Sequence, residues 1–91
     1  MGILEKKIER LSCEWAVKQG AMVVKIQAAR GWPDRCILKP NGRVLFVEFK
    51  AYGRHPTPLQ SHILQEMRKR GHRAYWINKV ADFKDAYENE Y

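Results

Sequence analysis

The dipeptide Asn41-Gly42 constrains the fold of this chain most, because it lies between two apolar segments. Residues 35–39 (RCILK) precede it and residues 43–50 (RVLFVEFK) follow it. Both residues of an Asn-Gly pair tolerate positive φ, which is typical of a two-residue turn between antiparallel strands. The pattern therefore predicts a β-hairpin. A turn of that length places position 34 opposite position 49 or 50.

Helices and further strands are predicted on both sides of the hairpin. Residues 3–19 repeat apolar side chains at helical spacing, and the dipeptide Thr57-Pro58 is typical of a helix start. We expect strands at residues 21–27 and 73–77, a helix from Pro58 to before Gly71, and a short final helix. The order α-β-β-β-α-β-α in one domain, residues 1–91, predicts a mixed sheet with helices packed on it. The expected inner faces of the first and last helices are Leu4, Ile8, Leu11 and Trp15, and Val80, Phe83 and Tyr87.

The chain is strongly basic for its length. Its 91 residues include 17 Lys and Arg against 10 Asp and Glu, a formal net charge of +7. Four of the acids and one of the bases lie in the last ten residues, which leaves 16 bases and 6 acids in residues 1–81. This balance indicates a polyanionic partner, with nucleic acid the first candidate and an anionic membrane surface the second.

Length and composition limit the setting in which the chain works. No stretch reaches the roughly 18 apolar residues of a membrane span, and the two cysteines form no metal-binding or disulfide pattern. We therefore expect a cytoplasmic protein with no membrane partner. A chain of this size buries only about 60% of its unfolded surface, so either dimerisation or a ligand that stabilises the fold is also expected.

Three charged residues suggest a metal site. Glu48 and Lys50 share one face of a strand near its end, and Asp34 follows the rigid segment Gly31-Trp32-Pro33. The predicted hairpin brings Asp34 close to both, and two carboxylates beside a lysine are costly unless a cation lies between them. Oxygen ligands of this kind suit Mg²⁺ or Mn²⁺. Each feature also has a purely structural explanation. Glu48 and Lys50 can form a surface ion pair, and an Asp such as Asp34 is frequent at the start of a strand.

Two further positions leave alternatives open. The first helix offers a third carboxylate for this site. Glu9 is the first choice, because it neighbours the small residues Ser12, Cys13 and Ala16, and Glu5 is the second choice. Gln60 completes a capping box with Thr57, or else it orients a water molecule or a phosphate.

Together, the segments Gly31-x-Pro33-Asp34, Glu48-x-Lys50 and Gln60 resemble the VRR-NUC (virus-type replication-repair nuclease) domain of the PD-(D/E)xK nuclease superfamily, in its stand-alone phage form. The resemblance implies an α/β fold with a restriction-endonuclease-like α-β-β-β-α-β core. It also implies Mg²⁺- or Mn²⁺-dependent hydrolysis of DNA phosphodiesters by a homodimer that acts on branched DNA such as Holliday junctions. By position, the resemblance implies Asp34, Glu48 and the Phe49 carbonyl as metal ligands, Lys50 as catalytic lysine, Glu9 as helical acid and ligand, and Gln60 as the family glutamine.

Basic residues that flank these segments are expected to contact DNA phosphates. They are Arg30, Arg35, Arg54 and His55. The alternative function is a non-catalytic DNA-binding module that retains the nuclease fold, and the intact set of two acids and a lysine argues against it. An adaptor for an acidic partner is a third hypothesis, which predicts no salt-dependent affinity for DNA.

Overall fold

The computed structural model describes residues 4–89 and contains three helices and four strands within that range. Residue 3, where the predicted first helix starts, lies outside the described residues. The predicted order of elements is confirmed. The elements are α1 (Glu5–Lys18), β1 (Met22–Lys25), β2 (Arg35–Leu38), β3 (Val44–Phe49), α2 (Pro58–Lys69), β4 (Arg73–Ile77) and α3 (Val80–Asn89).

The four strands form one mixed sheet in the order β1-β2-β3-β4. The pairs β1–β2 and β2–β3 are antiparallel, whereas β3 and β4 are parallel. A parallel neighbour requires a crossover, and α2 provides it. The predicted fold class, a mixed sheet flanked by helices, is therefore confirmed.

The hairpin loop differs from the predicted two-residue turn. Lys39 N donates to Arg43 O at 2.9 Å, so three residues close the hairpin, and Gly42 has φ of +88°. Asn41 Oδ1 accepts a hydrogen bond from Arg43 N at 3.0 Å. A glycine with positive φ at the third position is typical of three-residue hairpin loops. The extra residue shifts the register, because Arg35 pairs with Val47. Asp34 consequently lies beside Glu48, and its predicted place opposite residue 49 or 50 was wrong.

Helices cover the two faces of the sheet unequally. On one face α1 and α3 enclose the main core, which includes Ile37, Leu45 and Phe49. On the other face α2 packs over β3 and β4 through a smaller cluster of Leu64, Met67 and Ala74. The consequence is that residues at alternate positions of β3 point into different surroundings.

The buried stripe of α1 is formed by smaller residues than predicted. Ile8, Ser12 and Ala16 are buried, whereas Leu4 is 70% exposed just before the helix, so its predicted place in the inner face was wrong. The small side chains of Ser12 and Ala16 allow α1 to lie close to the sheet. No helix within residues 4–89 has the length and apolar character to span a bilayer.

Candidate active site

Asp34 is held by the sheet itself. Its backbone N donates to Val47 O at 3.0 Å, and its Oδ2 accepts a hydrogen bond from Phe49 N at 2.8 Å. The side chain therefore continues the hydrogen-bond ladder of β3 beyond the end of β2. The preceding Pro33 is fully buried. Proline restricts the backbone before this ladder, so the position of the carboxylate is well determined.

A close contact brings the loop before Asp34 against α2. Gly31 has φ of +88°, and a Cβ at this position would lie 2.6 Å from Leu59 Cγ. Only glycine satisfies both the positive φ and the short approach. The contact places the loop from Arg30 to Asp34 next to the first turn of α2.

Glu48 is the buried acid of the site, with 3% of its surface exposed. Its Oε2 lies 3.6 Å from Lys50 Nζ and accepts a hydrogen bond from Gln60 Nε2 at 3.3 Å. Its Oε1 is buried and has no hydrogen-bond partner among residues 4–89. An unpaired buried carboxylate oxygen is costly, so this atom is a candidate ligand atom for a cation.

The two carboxyl groups influence each other. Burial, followed by the charge of Asp34, raises the pKa of Glu48 to about 7. Burial also raises the pKa of Asp34, although the hydrogen bond from Phe49 N opposes the rise. A cation bound between the two carboxyl groups would favour the ionised form of both.

Gln60 has the capping role considered from the sequence, and its side chain also contacts the site, whereas a role in orienting water or phosphate stays a prediction. Its backbone N donates to Thr57 Oγ1 at 3.2 Å, and its Oε1 accepts from Thr57 N at 2.9 Å, which completes the capping box of α2. At the same time its Nε2 donates to Glu48 Oε2. One amide thus joins the start of the helix to the buried acid.

The two acids of α1 have different surroundings. Glu9 Oε2 accepts a hydrogen bond from Arg35 Nε at 2.6 Å, in a partly buried ion pair. Glu5 is exposed, yet partial desolvation and then the charge of Asp34 raise its pKa, while Lys50 lowers it. Glu9 also raises the pKa of Asp34. The predicted role of Glu9 stays a prediction, and so does that of Glu5, the second choice.

The residues present fit a hard divalent cation. Within residues 4–89 no three His, Cys, Asp or Glu side chains are grouped closely enough to form a metal site by themselves. Mg²⁺, however, is usually held by one or two carboxylates, with water and substrate oxygens as the other ligands. Asp34 and Glu48 meet that requirement, and the unpaired Glu48 Oε1 is available as a ligand atom.

The predicted DNA-contacting residues do not all remain exposed. Arg30 borders a pocket with Thr57 and Gln60 at the start of α2, and Arg54 and His55 are exposed on the loop between β3 and α2. Arg35 instead binds Glu9 and is half-buried. Sequence reasoning did not find Trp76, which the parallel register places beside Glu48. Only the pairing of β3 with β4 reveals that Trp76 lies beside Glu48.

The fold is that of VRR_NUC domains. A solved structure described as "VRR_NUC domain" superposes with a TM-score of 0.82, covering 96% of this chain and 97% of that chain at 24% identity. A second, described as "VRR_NUC domain protein", gives a TM-score of 0.80 over 97% of this chain and 88% of that one at 17% identity. The resemblance inferred from the motifs is thus confirmed for the fold.

A sequence relative adds to this likeness. The chain is 42% identical over 60 residues to "Putative nuclease p44" of Acyrthosiphon pisum secondary endosymbiont phage 1. The aligned region spans 64% of this chain and 64% of that protein. No protein-family model matches the chain.

Proposed function

We propose that the chain is a nuclease that hydrolyses DNA phosphodiesters with the help of Mg²⁺ or Mn²⁺. The observation that carries the proposal is the unpaired, buried Glu48 Oε1 beside Asp34 and Lys50. The VRR_NUC fold and the name of the phage relative support the same activity. A basic chain with a net charge of +7 is suited to a DNA partner.

In this proposal Asp34, Glu48 and the Phe49 carbonyl hold the ion, with Glu5 or Glu9 as the helical acid. A bound divalent ion would polarise the phosphodiester and lower the pKa of a water molecule. Lys50 Nζ lies 3.6 Å from Glu48 Oε2, beside the proposed metal site. In this position its positive charge would stabilise the negative charge that develops on the phosphate.

Gln60 keeps Glu48 oriented through its amide nitrogen. We assign phosphate contacts to Arg30, Arg54 and His55, the exposed members of the predicted set. Arg35 acts through Glu9 by fixing the position of α1 against β2.

The test is a cleavage assay on the full chain. Labelled four-way-junction, flap and linear duplex DNA are incubated with Mg²⁺, Mn²⁺ or EDTA. We expect cleavage with either metal, none with EDTA, and a preference for branched substrates. Asp34→Asn, Glu48→Gln and Lys50→Ala should each abolish cleavage.

Glu14→Gln is the matched control, because Glu14 lies on α1 like the candidate helical acids but forms an exposed ion pair with Arg10. Cleavage that persists in Asp34→Asn or Lys50→Ala contradicts the site assignment. Binding of DNA that EDTA leaves unchanged, with no cleavage of any substrate, would support the non-catalytic alternative.

We also propose that two copies associate through the open part of the sheet. Met22 and Val24 of β1 are 68% and 44% exposed, and they pair with Leu38 and Cys36 of β2. These four side chains share the face on which α2 covers only β3 and β4. An apolar patch next to an unpaired strand edge favours association, and a second copy supplies a matching patch.

A further inference from the structure

An aromatic surface lies next to the candidate active site on the edge strand β4. It consists of Trp76 of β4 and of His55 and Tyr52 on the loop before α2, which we call the aromatic patch. The His55 and Trp76 rings are 5.1 Å apart between centroids, and Trp76 remains 36% exposed. Neither the cleavage chemistry nor the core of the protein requires an exposed indole at this position.

Three contacts fix the loop of residues 51–57 to the end of β4. His55 lies against Trp76, Asn78 Nδ2 donates to Arg54 O at 3.3 Å, and Lys79 Nζ lies 5.5 Å from the centre of the Tyr52 ring. The aromatic rings are therefore held in place before any ligand binds. A preformed surface loses less conformational entropy on binding than a mobile one.

The patch is also next to the acid that carries the proposed function. Glu48 pairs with Trp76 in the parallel register of β3 and β4, so both side chains lie on the same face of the sheet. Arg54 and Lys79 add positive charge, and the sequence has no Asp or Glu in residues 49–65 or 67–81. The ligand must therefore combine flat apolar faces with negative charge.

We infer that the aromatic patch binds an unpaired nucleotide next to the phosphate at the active site. An unpaired base has free ring faces that stack on aromatic side chains, whereas the bases inside a duplex are covered by their neighbours. Its phosphates would contact Arg54 and Lys79. The inference rests on the proposed nuclease function for the meaning of the neighbouring site, but the binding itself requires no cleavage.

The second exposed tryptophan is less suited to this role. Trp32 lines a groove with Phe46, Ile63 and Met67, in which Glu66 forms an ion pair with Arg70 at 2.9 Å. The carboxylate offsets the positive charge of Arg70, so the groove attracts a phosphate less than the aromatic patch does. Trp32 therefore provides a matched control, an exposed indole outside the aromatic patch.

The test measures binding in EDTA, so that no strand is cut. The fluorescence anisotropy of a short labelled single strand is compared with that of a duplex of the same sequence. We expect Trp76→Ala to weaken binding of the single strand about tenfold, the loss typical of one stacked base, and to change duplex binding by less than about twofold. Trp76→Phe should retain most of the affinity, and Trp32→Leu should bind like the unaltered chain.

Equal losses for single strand and duplex, or an equal loss in Trp32→Leu, would overturn the inference. If Trp76→Ala does not fold, the Tyr52→Ala variant decides, because Tyr52 is exposed on a loop. This substitution should lower the affinity for the single strand about threefold. An unchanged affinity in that variant also contradicts the inference. A protein that binds the single strand through the patch but cuts nothing with Mg²⁺ or Mn²⁺ contradicts only the proposed nuclease function.

Discussion

Gln60 shows how one side chain serves both folding and the candidate site. Its Oε1 caps α2 through Thr57 N, and its Nε2 donates to Glu48 Oε2. Sequence spacing left open a role in capping or in orienting a water molecule or a phosphate. The structure shows the cap and a hydrogen bond to Glu48, because the amide carries an acceptor and a donor at opposite ends. Contact of Gln60 with water or phosphate stays a prediction.

A pair of substitutions separates the two roles. Thr57→Ala removes the cap, so we expect a loss of about 1 kcal/mol in the free energy of unfolding with cleavage by the folded protein unchanged. Gln60→Ala also removes the hydrogen bond to Glu48, so cleavage should fall at least about tenfold. Urea unfolding and initial cleavage rates measure the two effects. Equal cleavage by both variants would restrict Gln60 to capping.

The burial of Glu48 predicts how stability depends on pH without metal. The pKa of Glu48 is raised to about 7 in the folded protein, above its ordinary value in the unfolded chain. Protonated Glu48 therefore contributes fully to the free energy of unfolding below its pKa in the unfolded chain. This contribution is lost as pH rises through its pKa in the folded protein. In EDTA the free energy of unfolding should fall between about pH 4.5 and pH 7, by up to about 3 kcal/mol.

Glu48→Gln is the control for this pH effect. The glutamine does not titrate, so most of the slope in this window should disappear. A slope that is unchanged in Glu48→Gln would assign the titration to another group. Addition of Mg²⁺ should restore stability at neutral pH in the unaltered chain, because a ligand that binds the folded state stabilises it.

At the scale of elements, the contact of the loop before Asp34 with α2 depends on Gly31. Gly31→Ala combines a strained positive φ with a Cβ that lies 2.6 Å from Leu59 Cγ. Gly42→Ala has the same φ of +88° but no atom within 4 Å of the added Cβ. We expect Gly42→Ala to cost about 1 kcal/mol, the cost of the conformation alone, and Gly31→Ala clearly more.

Thermal and urea unfolding compare these two variants. The double variant Gly31→Ala, Leu59→Ala should recover the part of the loss that comes from the contact, since it removes the opposing side chain. If Gly31→Ala and Gly42→Ala cost the same, the loop does not press against α2 in solution.

Local patterns were sufficient for the elements but not for their relative placement. Helical periodicity, Asn41-Gly42 and Thr57-Pro58 predicted the order, and strand alternation predicted that Glu48 and Lys50 share a face. The loop length was wrong, because Asn-Gly fits both two-residue and three-residue hairpins. Whether Glu5 or Glu9 faces Asp34 depends on how α1 lies across the sheet, which only tertiary packing decides.

At the scale of the whole molecule, the open sheet face predicts the state of association. Val24→Glu places a charge in the exposed apolar patch of β1, so it should shift a dimer towards the monomer. Sedimentation velocity over a range of protein concentrations measures this shift. Val17→Glu is the control, because Val17 is also exposed, at 56% against 44% for Val24, but lies on α1. A monomeric unaltered chain, or equal effects of both substitutions, contradicts the proposed interface.

The double role of Gln60 also limits how this site can be transplanted. A designer who grafts Asp34, Glu48 and Lys50 onto another scaffold transfers the charges but leaves Glu48 without the amide that orients it. The smallest segment that carries Glu48, Lys50 and the orienting amide together is therefore residues 48–60, and a neighbouring strand must supply Asp34. Any host protein must hold the start of a helix close enough to the end of a strand for the glutamine amide to reach the glutamate carboxylate.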